Sequence, residues 1–232
     1  MVGKLNFPDA VSAKKLRDKY FVKYHSTAKA LAVAEEEGQL PSPPAGWPEG
    51  KKLFDVEDLA EWWAEHCNFD LLGEKDADLI EMLESCPLKM VAFSNGPRKY
   101  VLRVLREMGL DKVFPEDKVF AVNDVLPSCK PEKEAFQKVF DAMGVTDPSE
   151  CVMVEDSMKN IRAAKELGMA TLLIAGIGRM NKKGGNNSDA LADAAEATKA
   201  GDAPDTKDPA VDVCIESVKE MKTAVPGLWG MK

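Results

Sequence analysis

Three short stretches hold the residues that could do chemistry. "FSNG" sets Ser94, Asn95 and Gly96 directly after an apolar run. A hydroxyl, N–H groups at a helix start and a glycine that lets the backbone come close would hold phosphate oxygens. "CKPE" puts Lys130 just before a helical pattern, as a solvated side chain or as a fixed cation facing phosphate charge. "CVMVEDSMKN" places Glu155 and Asp156 side by side where an apolar stretch ends. Adjacent carboxylates repel, and neither is cheap to desolvate alone. A bound Mg2+ would hold them there, through Asp156 and also Glu155. A helix N-terminus would favour them too, with Ser157 as its cap. Taken singly, each stretch has such an ordinary structural reading.

The elements that must position these residues change character along the chain. Apolar residues recur at helical spacing from Asp9 to about Glu37, ending at Gly38. The proline-rich "QLPSPPAGWPEGKK" reads as an exposed loop, and "DVEDLAEWWAEHC" and "EKDADLIEMLESC" as two more helices. From Leu88 onward, strands alternate with helices. "LKMVAFS", "DKVFAV", "CVMVE", "MATLLIAG" and "AVDVCIES" read as strands. "PRKYVLRVLREMGL", "PEKEAFQKVFDAMG" and "SMKNIRAAKELG" read as the intervening helices, with "VKEMKTAVPGLW" as a closing helix and tail. That alternation predicts an α/β fold whose parallel sheet is covered by helices on both faces. In such sheets ligands bind beyond the carboxyl ends of the strands, where all three stretches fall. Residues 179–209, rich in Gly, Asn, Asp, Ala and Lys, read as a solvated, mobile insertion.

Composition narrows the function classes. A chain of 232 residues can bury a real core, and 45% hydrophobic with 30% charged content is ordinary for a globular protein. A net charge of −8 argues against nucleic acid as a general partner, since no basic surplus exists to neutralise phosphates. A local cation and backbone N–H groups can still hold a small anion. Cys67, Cys86, Cys129, Cys151 and Cys214 are scattered without a CxxC pair, which fits reduced thiols in the cytoplasm. No apolar run approaches membrane-spanning length, so the expected address is cytoplasmic, with no membrane partner.

Hydroxyl, lysine and acid pair occur in that order, each at the end of a βα unit. A phosphoryl group needs donors for its oxygens, a cation and a metal. In this the chain resembles the haloacid dehalogenase-like phosphohydrolase superfamily, and most closely its pyrimidine 5′-nucleotidase-like branch. "FSNG", "CKP" and "VEDSMKNIRAAKELGM" are similar to that superfamily's second, third and fourth motifs. "LRDKYFVKYHSTAKAL" is similar to the branch's helical cap, and "DVCIESVKEMKTAVPGLW" to its last strand and helix. The resemblance implies a Rossmann-like core over residues 73–232 and a cap segment over 1–72. It implies catalytic roles for Ser94 and Lys130, and phosphate binding by Ser94, Asn95, Gly96 and Lys130. It further implies Mg2+ at Asp156 and Glu155, a small phosphorylated substrate such as a nucleotide monophosphate, and convergence of Ser94, Lys130 and Asp156 on one pocket. In the cap segment, His25, Ser26 and Thr27 are candidates to touch a base or sugar, or plain helix positions.

One departure stands against these matches. The family's first motif is a strand ending in D-x-D, which supplies the aspartate nucleophile and the acid/base. It should precede the cap, where only "MVGKLNFPD" stands. Asp76 and Asp78 have the spacing but open a helix with no apolar strand before them. The expectation is therefore a phosphatase domain whose first central strand and nucleophile are missing and which binds Mg2+ weakly. The alternatives are an enzyme given without its upstream strand, or a pseudoenzyme that binds a phosphorylated ligand or a protein. Either way the sheet would carry a gap, to be filled by a rearranged segment or a partner chain.

Overall fold

The computed structural model describes residues 2–176 and 204–231. The expected insertion at 179–209 thus lies outside the described residues up to 203, and the rest of it is irregular, with turns. The described residues form an α/β fold with parallel strand pairing. Contacts gather the chain into two compact units, one of residues 1–75 and 91–129, the other of 76–90 and 130–232. The chain switches between units after residues 75, 90 and 129. Residues 91–129, however, group with the N-terminal helices.

In the first unit the single helical pattern from Asp9 to Glu37 is two helices, α1 (Ala10–Tyr24) and α2 (Thr27–Glu36). His25 breaks the run: it takes the left-handed conformation at φ 49°, and Ser26 then caps α2 by accepting the Lys29 N–H. Left-handed backbone cannot continue a helix, whatever the apolar spacing says. The proline-rich loop is exposed as expected, and Glu35 Oε1 ties its end to α2 by accepting the Leu53 and Phe54 N–H groups. Leu5, Phe7, Leu31, Phe54 and Val122 share one core cluster here. After α3 (Val56–His66), the strands β1 (Ala92–Phe93) and β2 (Val119–Phe120) pair in parallel on either side of α5 (Arg98–Glu107). Both strands are shorter than their apolar runs. A 3-10 turn precedes β2, and α6 (Val122–Val125) starts right after it, because Asp124 accepts the Ala121 N–H and pairs with Arg98. A two-residue partner cannot support a longer β1.

The second unit holds α4 (Ala77–Glu84), α7 (Lys133–Met143), β3 (Val152–Glu155), α8 (Met158–Glu166), β4 (Ala170–Ile174) and β5 (Val213–Ile215). The ladder order is β3-β4-β5, all parallel, with Glu155 opposite Leu173 and Ile174 opposite Ile215. The described strands therefore make two ladders rather than one continuous sheet. β3 is an edge of its ladder, and it keeps Val152 and Val154 each 37% exposed while Met153 is buried. Gly144 ends α7 at φ 69°, a left-handed cap that a side chain would strain. The expected closing helix is split, because Pro226 cannot donate the next helical hydrogen bond. Only Met221–Ala224 is α-helical, between 3-10 turns. Trp229 nonetheless anchors this end through its indole N–H, shared between Met82 O and Ser85 Oγ. No helix among the described residues is long and apolar enough to cross a membrane.

Ile161 of α8 is fully buried in a cluster with Met158, Leu173 and Ala210. Ile161→Ala should lower unfolding free energy by about 2–5 kcal/mol in denaturant titration, through lost burial and the cavity left behind. Leu71→Ala, at a position 83% exposed, should change it by no more than about 0.5 kcal/mol.

Candidate phosphate and metal site

The carboxyl end of β3 runs straight into α8 through Asp156 and Ser157. Lys130, expected either as a solvated side chain or as a fixed cation, is buried. Its Nζ stands 2.6 Å from Glu155 Oε2, and the two side chains are 7% and 9% exposed. The other oxygen of Glu155 accepts the N–H groups of Asp156 (3.1 Å) and Ser157 (3.3 Å). Ser157 holds the N-cap position of α8 but makes no side-chain capping bond, so Glu155 takes over part of that role.

The acid pair is thereby split into two different groups. Burial alone would raise the Glu155 carboxyl, but the Lys130 charge and its hydrogen bonds pull it down to about 2. Asp156 is exposed, and its hydrogen bond with Glu155, aided by desolvation and the Glu155 charge, pushes its carboxyl up to about 6. Glu155, expected as a metal ligand, has both oxygens engaged by Lys130 and backbone. Asp156 is then the carboxylate of the pair that can turn to a cation. Among the described residues no group of three or more His, Cys, Asp or Glu forms a metal cage. One carboxylate fits the way Mg2+ is often held, with phosphate oxygens and water completing its shell.

Ser94, Asn95 and Gly96 lie in the first unit, at the carboxyl end of β1. The Ser94 N–H extends the ladder to Phe120 O (2.9 Å), and Ser94 Oγ accepts the Gly96 N–H at 3.0 Å. That hydroxyl can still donate its hydrogen to a ligand oxygen. The alternative reading of this stretch, a cap for α5, is met by another residue. Asn123 Oδ1 accepts the Arg98 N–H at 2.9 Å, while Pro97 occupies the N-cap position without a side-chain bond. Gly96 is closely packed, since a Cβ there would sit 3.2 Å from Ser94 Oγ and 3.3 Å from Val101 Cγ2. Ser26 reaches this loop by donating to Asn95 O at 3.2 Å. Thus Lys130, Glu155 and Asp156 come together in one unit, and Ser94, Asn95, Gly96 and Ser26 in the other.

Asp76 and Asp78 also have a clear placement. Asp76 caps α4 by accepting the Leu79 N–H at 3.1 Å and pairs with Lys219, whose hydrogen bond lowers its carboxyl. Asp78 lies in the first turn of the same helix. Neither is at the end of a strand.

Known proteins resemble parts or most of the chain. Residues 76–168, which contain Ser94, Lys130, Glu155 and Asp156, match the family model "haloacid dehalogenase-like hydrolase". That match takes in 93 of the 232 residues. A "CBBY-like protein" of Arabidopsis thaliana is 37% identical over 117 residues, 50% of this chain and 36% of that protein. A "phosphorylated carbohydrates phosphatase" of Thermotoga maritima is 28% identical over 92 residues, 40% of this chain and 41% of that protein. The chain thus spans well under two thirds of the curated relatives it matches. The L-2-haloacid dehalogenase of Xanthobacter autotrophicus shares the fold, with a TM-score of 0.53 at 19% identity over 93% of this chain and 82% of that one.

Two outcomes should distinguish Lys130, Glu155 and Asp156. Lys130→Met strands a buried carboxylate and should cost about 3 kcal/mol of stability, much of it recovered in Lys130→Met/Glu155→Gln. Denaturant titration of both variants checks this. Asp156 binds its proton more tightly folded than unfolded, so its contribution is present below its ordinary value of 3.8 and lost as pH rises through about 6. Without metal, Asp156→Asn should flatten that fall in Tm between about pH 4 and pH 7. Glu155 works the other way: its stabilisation holds above 4.5 and disappears as pH drops through about 2.

Proposed function

We propose that this chain binds the phosphoryl group of a small phosphomonoester as part of a phosphatase-type domain, with Mg2+ at Asp156. The observation that carries the reading is the buried Lys130–Glu155 pair beside an exposed Asp156 at a strand end, inside the stretch that matches the hydrolase family. Lys130 is a cation held in a low-dielectric setting, where it balances phosphoryl charge more strongly than in water. The resemblance assigns further hydrogen-bond donors for a phosphate to Ser94 and the backbone at Asn95–Gly96. When bound, Mg2+ would neutralise developing charge on the phosphoryl oxygens. Residues 1–72 are read as the cap segment and 73–232 as the core. The Thermotoga relative's name points to sugar phosphates, and the pyrimidine 5′-nucleotidase-like resemblance to nucleotide monophosphates.

Hydrolysis by an aspartyl-phosphate route needs a nucleophile that none of these residues supplies. Glu155 is committed to Lys130, and Asp76 is committed to α4 and Lys219. This favours a second reading, in which the chain binds a phosphorylated ligand or a protein partner without turning it over. In that reading a partner chain would complete the sheet, whereas an upstream segment ending in D-x-D would favour the hydrolase.

Calorimetric titration with inorganic phosphate, with and without Mg2+, tests the binding reading. Ser94→Ala should weaken phosphate about tenfold, and Asp156→Asn should abolish the gain that Mg2+ brings. Absence of phosphate binding by the intact chain would remove the reading. Residues 1–232 should show negligible Mg2+-dependent hydrolysis of nucleotide monophosphates or an aryl phosphate. Appending a strand that ends in D-x-D should produce turnover, and robust turnover without it would refute the nucleophile assignment.

A further inference from the structure

Two surface features of the first unit are complementary in shape and charge. At α1, Phe7, Ser12, Lys15, Leu16 and Lys19 line an open groove of about 370 Å³. Phe7 and Leu16 give it an apolar floor, and Lys15 and Lys19, one helical turn apart, stand exposed at its rim. Exposed lysines elsewhere find acids: Lys4 pairs with Asp58, Lys52 with Glu36, Lys99 with Glu61 and Lys219 with Asp76. Lys15 makes no ion pair with any described residue, and Lys19 stands over the Tyr20 ring, 5.0 Å from its centroid. In a chain of net charge −8, such cations beside an apolar groove favour an occupant that is acidic and partly apolar. The match to that description is on α3. Trp62 is 53% exposed there, while Trp63 beside it meets Tyr100 edge-on. The Trp62 ring lies flat on His66, with centroids 4.8 Å apart and planes at 5°, so the indole is held in one orientation. Asp58 and Glu65, one turn before and one turn after Trp62, share its side of the helix, and the Glu65 side chain is 72% exposed. An indole already held in place loses less freedom on docking, and tryptophan is prominent among the residues that anchor interfaces.

We propose that the α1 groove receives Trp62 from a second copy of this chain. Phe7 and Leu16 cover the indole, and Lys15 and Lys19 face Glu65 and Asp58, the latter also holding Lys4 of its own copy. Both patches lie within residues 1–75, so every copy brings one indole and one groove. A contact between two different patches closes reciprocally in a pair or adds copies head to tail. Built on one aromatic anchor and exposed charges, it is weak, with association expected at about 1–100 μM.

Sedimentation equilibrium of the full chain should show a mass that rises with concentration over about 1–100 μM, and rises less at high salt. Trp62→Ala and Lys15→Glu/Lys19→Glu should each move that rise to concentrations at least about tenfold higher. Mixed in equal amounts, the two variants should associate again, because one keeps the groove and the other keeps the indole. Recovery on mixing also shows that both variants are folded. A monomer throughout the range would overturn the inference, as would association that Trp62→Ala leaves unchanged or variants that fail to recover on mixing. Association lost in Lys15→Glu/Lys19→Glu but kept in Trp62→Ala would assign the groove to another acidic segment and exclude Trp62 as its occupant.

Discussion

A lysine and a glutamate that must be buried together organise the end of β3. Neither Lys130 nor Glu155 could stay desolvated alone, because an unpaired charge inside a protein costs several kcal/mol. Paired at 2.6 Å, they hold the segment before α7 against the carboxyl end of β3. The second Glu155 oxygen, bonded to the N–H groups of Asp156 and Ser157, shapes the turn into α8. Asp156 follows from that turn. With its neighbour consumed by the lysine and by backbone, it is the carboxylate left facing solvent.

The Ser94–Gly96 loop shows the same logic with hydrogen bonds in place of charge. Asn123 caps α5, so Ser94 and Asn95 are released from that duty. The loop is instead held by β2 through Phe120 O, by Val122 through Gly96 O, and by α2 through Ser26. Gly96 is packed so closely against Ser94 and Val101 that a side chain there would displace one of them. Groups of the sort a phosphate needs are thus fixed in place by elements distant in sequence. Such fixing is what makes donors effective, because they need not reorganise when charge arrives.

What was legible in the sequence is local. Apolar spacing and Pro/Gly punctuation placed α3, α5, α7, α8, β3, β4 and β5, because a helix or strand of ordinary length buries its face by its own period. The order of "FSNG", "CKP" and "VEDS" singled out the residues of interest, since hydroxyl, lysine and acid pair at successive strand ends match what a phosphoryl group needs. Tertiary structure decided what depended on remote neighbours. The Asp9–Glu37 pattern is continuous in apolar spacing, yet the chain breaks at His25, where Ser26 meets Asn95 across 69 positions. The cap on α5 comes from 25 residues away, beyond any local rule. Glu155 and Asp156 are chemically alike and adjacent, so nothing in the chain could say which would be spent. The position of one ammonium group, brought from Lys130 by folding, made one a buried counter-ion and left the other open to solvent.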